Sequence, residues 1–146
     1  MNLAKTLGQI EIFHGLAQDE LEQVARLCET RTLKQGEVLV NAGDVGDEFY
    51  LLTEGSVSIQ LPTPTGSRPI IHLGKGQVVG ELALLDQGVR AATVQANETP
   101  TTVQVINNQK FLQLCEENNH IGYIVMRNLA IDLSVKLRHY NLLTNY

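Results

Sequence analysis

The segment with the clearest chemical potential is residues 79–94, VGELALLDQGVRAATV. Gly80 and Gly88 bracket a stretch long enough for one turn of helix, and a helix start offers free backbone N–H groups to an anion. Arg90 follows this stretch and can bind a phosphate through two parallel hydrogen bonds. Glu81 supplies an acceptor for a hydroxyl group. The segment therefore predicts a site for an anion with an adjacent hydroxyl.

The glutamate restricts which anion could bind. A buried carboxylate beside a di- or triphosphate would repel several charges, with only Arg90 to compensate. A 3′,5′-cyclic nucleotide avoids that cost, because its phosphodiester carries one charge and its ribose keeps one free hydroxyl. The small residues Ala83, Ala91 and Ala92 would let the backbone approach such a ligand closely. The alternative interpretation is a structural ion pair between Glu81 and Arg90 in a domain that binds nothing.

Short strand-like runs on both sides must hold this segment in place. From about residue 31 to 107, glycine and turn residues recur at short intervals, and apolar and polar residues alternate between them. The predicted strands are residues 37–40, 49–52, 57–61, 70–73, 92–96 and 101–106. Residues 61–67 contain two prolines and are predicted to form a hairpin loop. This spacing favours an all-β sandwich or barrel, and a jelly roll fits best.

Helical periodicity flanks the strands. Residues 1 to about 30 are predicted to be helical, with an apolar stripe over residues 21–28 and a compact apolar turn just before it. After residue 108, a short helix precedes a long one that ends at about Leu143. The long helix carries two apolar stripes, one of Met126, Leu129, Leu133 and Tyr140, the other of Ile124, Ile131, Val135 and Leu142. One stripe is expected to pack on the strands. The second could cover a twin helix or a ligand, or both could form one broad core face.

The composition limits the class of protein. The chain has 146 residues, 43% hydrophobic and 18% charged, which suits one folded domain. Its net charge of −5 argues against attraction to nucleic acid. No apolar stretch approaches the roughly 18 residues of a membrane span, and the start lacks a secretory signal, so a cytoplasmic location is predicted. Cys28 and Cys115 are expected to be small buried hydrophobes, and the scattered histidines indicate no metal site.

The sequence GELALLDQGVRAATV resembles the phosphate-binding cassette of the cyclic-nucleotide-binding domain family, which includes bacterial catabolite activator proteins and protein kinase A regulatory subunits. It is most similar to the kinase regulatory version, in which Gly-Glu-Leu-Ala-Leu is followed by Arg-Ala-Ala-Thr-Val. Further matches to the family's glycines and turns lie at residues 34–38, 43–44, 47–50 and 54–57. The resemblance covers most of the chain, from about residue 10 to 143. With the length and the periodicity, it predicts a single domain over residues 1–146: N-terminal helices over 1–30, a jelly-roll β-barrel over 31–107 with the cassette at 79–94, and C-terminal helices over 108–146.

The resemblance also implies roles for the cassette residues. Glu81 would accept a hydrogen bond from the ribose 2′-hydroxyl, and Arg90 would neutralise the cyclic phosphate. Backbone N–H groups at Ala83 and Ala91 would complete the phosphate site, with Gly80 and Leu82 alongside. Members selective for cGMP tend to carry Thr after the arginine, so Ala91 favours cAMP, with cGMP as the alternative.

Two further implications concern the helices. In relatives the C-terminal helix caps the base, and Lys136 and Leu137 fall near the expected position. A lysine there either contacts the adenine or is simply solvated.

The family's capping Ser/Thr of the N-terminal helix is replaced by Ala17, which predicts a frayed helix start.

Three classes of function follow. The first is a cAMP-binding regulatory module without its own DNA-binding or catalytic domain, since the chain ends at Tyr146 with no helix-turn-helix after the long helix. It is either a stand-alone protein or the sensor fragment of a longer regulator. The second is a ligand-silent interaction module of the same fold. The third, an enzyme, needs a metal cluster or an activated nucleophile, and neither pattern is visible, so no cofactor is predicted. The expected partners are the nucleotide and, at the C-terminal helix, a second copy or a regulated protein; contact with nucleic acid or a membrane is not expected.

Overall fold

The computed structural model describes residues 2–86 and 88–143. The helices in this part of the chain are α1 (Leu3–Leu7), α2 (Gln18–Ala25), α3 (Leu82–Asp86), α4 (Asn108–Glu117) and α5 (Asn119–Leu143), and a 3₁₀ turn spans Glu11–Phe13. The strands are β1 (Glu29–Leu33), β2 (Val38–Val40), β3 (Glu48–Glu54), β4 (Ser56–Thr63), β5 (Gly66–Gly74), β6 (Val78–Val79), β7 (Thr93–Ala96) and β8 (Thr101–Asn107).

Within the described residues, the strands form two four-stranded antiparallel sheets. One has the order β1-β8-β3-β6 and the other β2-β7-β4-β5. The prediction of a mainly β jelly roll with flanking helices is confirmed, although the two sheets are not closed into one barrel. The strands β1 and β6 were not predicted: β1 reads ETRTL and is mostly exposed, and β6 has only two residues. Neither carries enough alternation to be recognised.

The hairpin between β4 and β5 corrects the predicted loop over residues 61–67. Strand pairing continues to Thr63 and Gly66, so residues 64 and 65 alone form the turn. A proline in β4 is tolerated because β7 pairs with β4 only as far as Gln60. Beyond Gln60, β5 alone pairs with β4 among the described residues, so a missing N–H breaks no ladder bond to a second strand. The end of the hairpin is therefore a two-stranded ribbon.

Strand β3 separates two hydrophobic clusters. Phe49 and Leu51 point towards the helices, whereas Tyr50 and Leu52 point into the space between the two sheets. This division follows from the alternation of side chains along a strand. On the helical side, the Phe111 ring meets the Phe49 ring edge to face, with centroids 5.3 Å apart. The apolar turn predicted before α2 also packs here, since the 3₁₀ turn buries its apolar side chains in this cluster.

The long helix α5 is attached through one face. Ile121, Val125 and Leu129 are buried against the helical cluster, and Met126 packs beside them. From the second predicted stripe, Ile131 and Val135 are 46% and 57% exposed. The side chains of Tyr140 and Leu142, and residues 144–146, lie outside the described residues. The described part of α5 thus leaves an apolar strip uncovered towards its C-terminal half.

A buried carboxylate fixes α2 against the start of α5. Glu20 is 5% exposed, and its Oε1 accepts a hydrogen bond from the Ala17 N–H at 3.0 Å. His120 Nδ1 lies 2.7 Å from the other carboxylate oxygen. Burial raises the pKa of Glu20, but the bonds from Ala17, His120 and Asn118 outweigh it and hold the pKa below its usual value. The expected frayed start of α2 is therefore corrected: Glu20 caps the helix although Ala17 has no acceptor.

Within the described chain, no helix combines the length and the apolar character that a membrane span requires.

Cys28 and Cys115 are free thiols, each half-buried beside the helical cluster. Burial raises the pKa of Cys28 to about 12 and that of Cys115 to about 11.

The Glu20 contacts predict a pH-dependent contribution to stability. Glu20→Ala should lower the free energy of unfolding by about 2 kcal/mol at pH 7, because a helix cap and a charged hydrogen bond are lost together. A carboxyl with a lowered pKa stabilises the fold above pH 4.5 and loses this effect as the pH falls. The difference from wild type should therefore shrink in acid. Urea unfolding at pH 7 and pH 4 measures it. Glu20→Gln keeps an acceptor for the Ala17 N–H, so its free energy of unfolding should lie between those of wild type and Glu20→Ala. A loss of stability in Glu20→Ala that is the same at both pH values would contradict this prediction.

Candidate functional site

The 79–94 segment enters the site through a glycine and a short helix. Gly80 follows β6 with a φ of +79°, a conformation that favours glycine. The first turn is closed by bonds from the Ala83 N–H to the Gly80 carbonyl at 3.2 Å and from the Leu84 N–H to the Glu81 carbonyl at 3.1 Å. On the far side of α3, Asn108 Nδ2 donates to the Ala83 carbonyl at 3.2 Å, which ties α3 to α4. The predicted single helical turn is present as α3.

The Arg90 guanidinium is held by main-chain carbonyls. Nη2 donates to the Glu48 carbonyl and Nη1 to the Gly80 carbonyl, the latter at 3.4 Å. Its Cζ lies 5.8 Å from the centroid of the Tyr50 ring, within the range of a cation–π contact. Among the described residues, no carboxylate lies within ion-pair distance of Arg90. The side chain is thus oriented without being neutralised.

Two glycines leave room for this side chain. A Cβ at Gly46 would lie 2.6 Å from the Arg90 Cζ and 2.9 Å from the Ala83 Cβ. A Cβ at Gly80 would lie 2.5 Å from Arg90 Nη1. Distances this short do not occur between real Cβ atoms and their neighbours, so a larger residue at either position would displace the guanidinium. The main chain just before Gly46 is fixed by bonds of the Arg90 N–H to the Asp44 carbonyl and of the Gly43 N–H to the Arg90 carbonyl.

The Tyr50 ring connects Arg90 to a second arginine. Arg31 Cζ lies 6.0 Å from the ring centroid, and Arg31 Nη1 lies 3.5 Å from Glu48 Oε1. The Tyr50 hydroxyl donates to the same carboxylate oxygen at 2.7 Å. Burial, the bond to Glu48 and the Glu48 charge all raise the pKa of Tyr50, so the ring stays neutral at physiological pH. Tyr50 is therefore a fixed neutral surface for both guanidinium groups.

A cavity of about 360 Å³ collects the predicted ligand-binding residues. Its lining includes Gly80, Glu81, Leu82, Ala83, Arg90, Ala91 and Ala92 from the 79–94 segment, with Val40, Ile59, Val79 and Val94 from the strands. The 79–94 segment thus contributes the charged residues Glu81 and Arg90, and the strands contribute aliphatic side chains. A larger groove of about 990 Å³ lies between α1 and the strands β1, β3 and β8, but none of the predicted site residues lines it.

Glu81 lies at the edge of the cavity beneath α5. Its side chain is 15% exposed, and burial raises the pKa of its carboxyl. Lys136 Nζ lies 3.8 Å from Glu81 Oε1 and 2.8 Å from Asp132 Oδ2, one turn earlier on α5. The Lys136 charge opposes the rise in the Glu81 pKa, and Asp132 adds to it. The helix therefore places a cation next to a carboxylate whose pKa is raised by burial.

The structure brings most of the predicted residues together and separates others. The alternative of a Glu81–Arg90 ion pair is not seen, because Glu81 faces Lys136 while Arg90 is bound to main-chain carbonyls. Leu137, predicted as a possible base cap, is 62% exposed. Sequence reasoning treated Gly46 only as a turn residue and Tyr50 only as part of a strand. The signal available was the run GDEFYLL, in which Gly46 stands just before the strand and Tyr50 is a polar aromatic residue within it.

Comparison with known proteins finds a matching domain family and related sequences. A family model described as the cyclic nucleotide-binding domain matches residues 30–118, which include the whole 79–94 segment and end before α5. The cyclic AMP receptor protein of Thermus thermophilus is 32% identical over 132 residues, 90% of this chain and 59% of that protein. The cAMP-dependent protein kinase regulatory subunit of Mycosarcoma maydis is 33% identical over 92 residues, 63% of this chain and 18% of that protein. The chain thus spans less than two thirds of these curated relatives.

Solved structures agree on the fold. The catabolite activator protein of Thermus thermophilus superposes with a TM-score of 0.81 at 31% identity, covering 92% of this chain and 62% of that one. The regulatory domain of Toxoplasma gondii protein kinase A, crystallised with cAMP, gives a TM-score of 0.69 at 25% identity, covering 76% of this chain and 42% of that one.

The burial of Glu81 predicts that this residue weakens the fold. Because its pKa is raised in the folded protein, the ionised carboxylate costs stability at neutral pH, and the cost disappears below the usual value of 4.5, where both states are protonated. Glu81→Gln should therefore raise the free energy of unfolding by roughly 0.5–1 kcal/mol at pH 7.5 and leave it unchanged at pH 4. Thermal unfolding at the two pH values, with Glu37→Gln at an exposed turn as the matched control, measures this. A destabilised Glu81→Gln protein at pH 7.5 would show that the Lys136 contact outweighs the burial.

Proposed function

We propose, from the premise that the chain belongs to the cyclic nucleotide-binding domain family, that it binds cAMP in the 360 Å³ cavity. The observation that carries the proposal is that Arg90 and Glu81 line the same cavity but form no ion pair with each other. The Arg90 cation and the Glu81 acceptor can therefore both contact a ligand. A cyclic nucleotide needs both groups at once, the first for its phosphate and the second for its ribose hydroxyl.

Arg90 is the residue that binds the phosphate in this proposal. Its bonds to the Glu48 and Gly80 carbonyls use two of the five guanidinium N–H groups and leave the others for phosphate oxygens. The Ala91 N–H has no hydrogen-bond partner within the described residues and is the second donor. The Ala83 N–H is used by the Gly80 carbonyl, so Ala83, like Gly80, Leu82 and Ala92, contributes mainly close approach of the backbone. The phosphate is thus held by one charged and one neutral donor.

The aliphatic strand residues and Ala91 determine which sugar and base the cavity would accept. Val40, Ile59 and Val94 offer an apolar surface to the sugar and base. Ala91 has no hydroxyl that could bind the guanine amino group, which favours cAMP over cGMP. Both nucleotides present the same phosphate and ribose, so cGMP is the weaker alternative ligand.

The first test removes the phosphate-binding charge. Arg90→Ala should weaken cAMP binding by roughly 2–5 kcal/mol, because a charged hydrogen-bonded partner of a desolvated phosphate is lost. Isothermal titration calorimetry of wild type and variant with cAMP and cGMP measures this, and wild type should bind cAMP more tightly. Arg138→Ala, an exposed arginine on α5, is the matched control and should bind as wild type does. Equal cAMP affinity in the Arg90 and Arg138 variants would refute the site assignment.

We infer that α5 transmits binding. The helix carries Lys136 next to Glu81 at one edge of the cavity, so a change at the cavity reaches α5 directly. Its exposed strip of Ile131 and Val135 is a surface for a second copy of the chain or for a regulated protein. The ligand would then shift the population of α5 positions, and the partner would respond to that shift. Direct contact with nucleic acid is not part of this proposal.

Hydrogen exchange tests the transmission. cAMP should slow amide exchange in residues 120–138 by at least several-fold, because a ligand that favours one position of α5 reduces its local opening. Mass spectrometry with and without cAMP measures it, and β1, which pairs with β8 and contributes no residue to the cavity lining, provides an internal control. Identical exchange of α5 in both states, with binding verified by calorimetry, would leave α5 without a transmitting role.

A ligand-silent interaction module of the same fold is the second candidate. The uncovered apolar strip on α5 favours it, since such a surface can bind a protein whether or not the cavity is filled. Calorimetry with saturating cAMP separates the two, because only the first candidate gives heat. The family fold itself is regulatory and non-catalytic.

A further inference from the structure

Lys136 is the residue of α5 that faces the ligand acceptor most directly. Its Nζ lies 3.8 Å from Glu81 Oε1, whereas the neighbouring Leu137 is largely exposed. Asp132 Oδ2, 2.8 Å away, holds the ammonium group in this direction. Oε1 is the Glu81 oxygen nearest to Nζ. Lys136 thus contacts the carboxylate that would bind a ribose hydroxyl.

Acidic groups outnumber basic ones around this contact. Asp132 and Glu81 raise the pKa of Glu11 in the 3₁₀ turn, Asp132 also raises the pKa of Glu81, and Lys136 lowers both pKa values. His14, just after the 3₁₀ turn, acts on Glu11. Burial is the largest cause that raises the pKa of both Glu11 and Glu81. A bound cyclic phosphate would add one more negative charge to this group.

The strength of a hydrogen bond from a hydroxyl group to Glu81 depends on whether the carboxyl group is ionised or protonated. A carboxylate is a charged acceptor and forms a hydrogen bond roughly twice as strong as a neutral group does. If burial and the neighbouring Asp132 protonated Glu81, the ribose hydroxyl would keep only a weaker, neutral acceptor. The Lys136 charge opposes protonation, because it lowers the pKa of Glu81.

We propose that Lys136 is a positioning residue for ribose recognition: it keeps Glu81 charged and oriented so that the cavity selects a nucleotide with a free 2′-hydroxyl. The inference rests on the proposed function. It differs from a base-capping role, because Lys136 would affect ribose binding through Glu81 and would not need to contact the base.

The experiment compares cAMP with 2′-deoxy-cAMP, which lacks only the hydroxyl. Wild type should bind cAMP roughly 10- to 100-fold more tightly, the range for a hydrogen bond to a charged group. Lys136→Met should narrow this ratio by about threefold, since Lys136 is 60% exposed and solvent weakens its effect. Most of the change should lie in the affinity for cAMP. High salt should reduce the difference between the two proteins by screening the exposed ammonium group.

The pH profile provides a readout that a merely structural role would not move. The preference for cAMP should decline as the pH falls through the pKa of Glu81. Removing Lys136 removes a charge that lowers this pKa, so the decline should occur at a higher pH in Lys136→Met than in wild type. Lys136→Arg keeps the charge and should restore the wild-type profile. In a Glu81→Gln background, Lys136→Met should have no further effect on the ratio.

The outcomes are distinct. Arg138→Met, two residues along α5, is the matched control and should leave the ratio unchanged. Equal losses of cAMP and 2′-deoxy-cAMP affinity in Lys136→Met would assign Lys136 to the base or phosphate and overturn the inference. An unchanged ratio and pH profile would overturn it as well. Absence of cAMP binding by wild type would instead refute the proposed function, and calorimetry on wild type alone detects that case first.

Discussion

The charge of Arg90 is the constraint on which the site depends. A guanidinium group does not lose its proton in a protein, so a partly buried arginine needs acceptors whatever the pH. Here the acceptors are the main-chain carbonyls of Glu48 and Gly80, with the Tyr50 ring alongside. Main-chain carbonyls orient the side chain but carry no full charge. The positive charge therefore remains available to an anion, which a carboxylate partner would have prevented.

This arrangement explains why distant parts of the chain must meet at Arg90. The Glu48 carbonyl belongs to β3 and the Gly80 carbonyl follows β6, and these strands are adjacent in one sheet. The loop before β3 contributes Gly46, whose missing side chain leaves the space that the guanidinium fills. Asn108 ties the other side of α3 to α4. The sheet thus sets the position of the site, and the two glycines decide whether the arginine can occupy it.

Much of this was predictable because the cassette is local in sequence. Glu81 and Arg90 are close along the chain, so their common site follows from residue types and spacing. The jelly roll followed from alternation in β4 and β8. Strand β1 could not be predicted, because its exposed edge position puts no hydrophobic demand on its residues. Contacts between distant residues were equally out of reach: the pair of Glu20 with His120 spans 100 positions, and the approach of Lys136 to Glu81 depends on the exact register of α5.

The state of the two thiols has a practical consequence for labelling. Maleimides and similar reagents attack the thiolate, and partial burial keeps Cys28 and Cys115 almost entirely in the thiol form at neutral pH. A short labelling reaction at neutral pH should therefore leave both native cysteines largely unmodified. A single cysteine introduced at the solvent-facing Tyr123 of α5 could then carry a fluorophore selectively. Movement of α5 could then be followed by fluorescence without first replacing the two native cysteines.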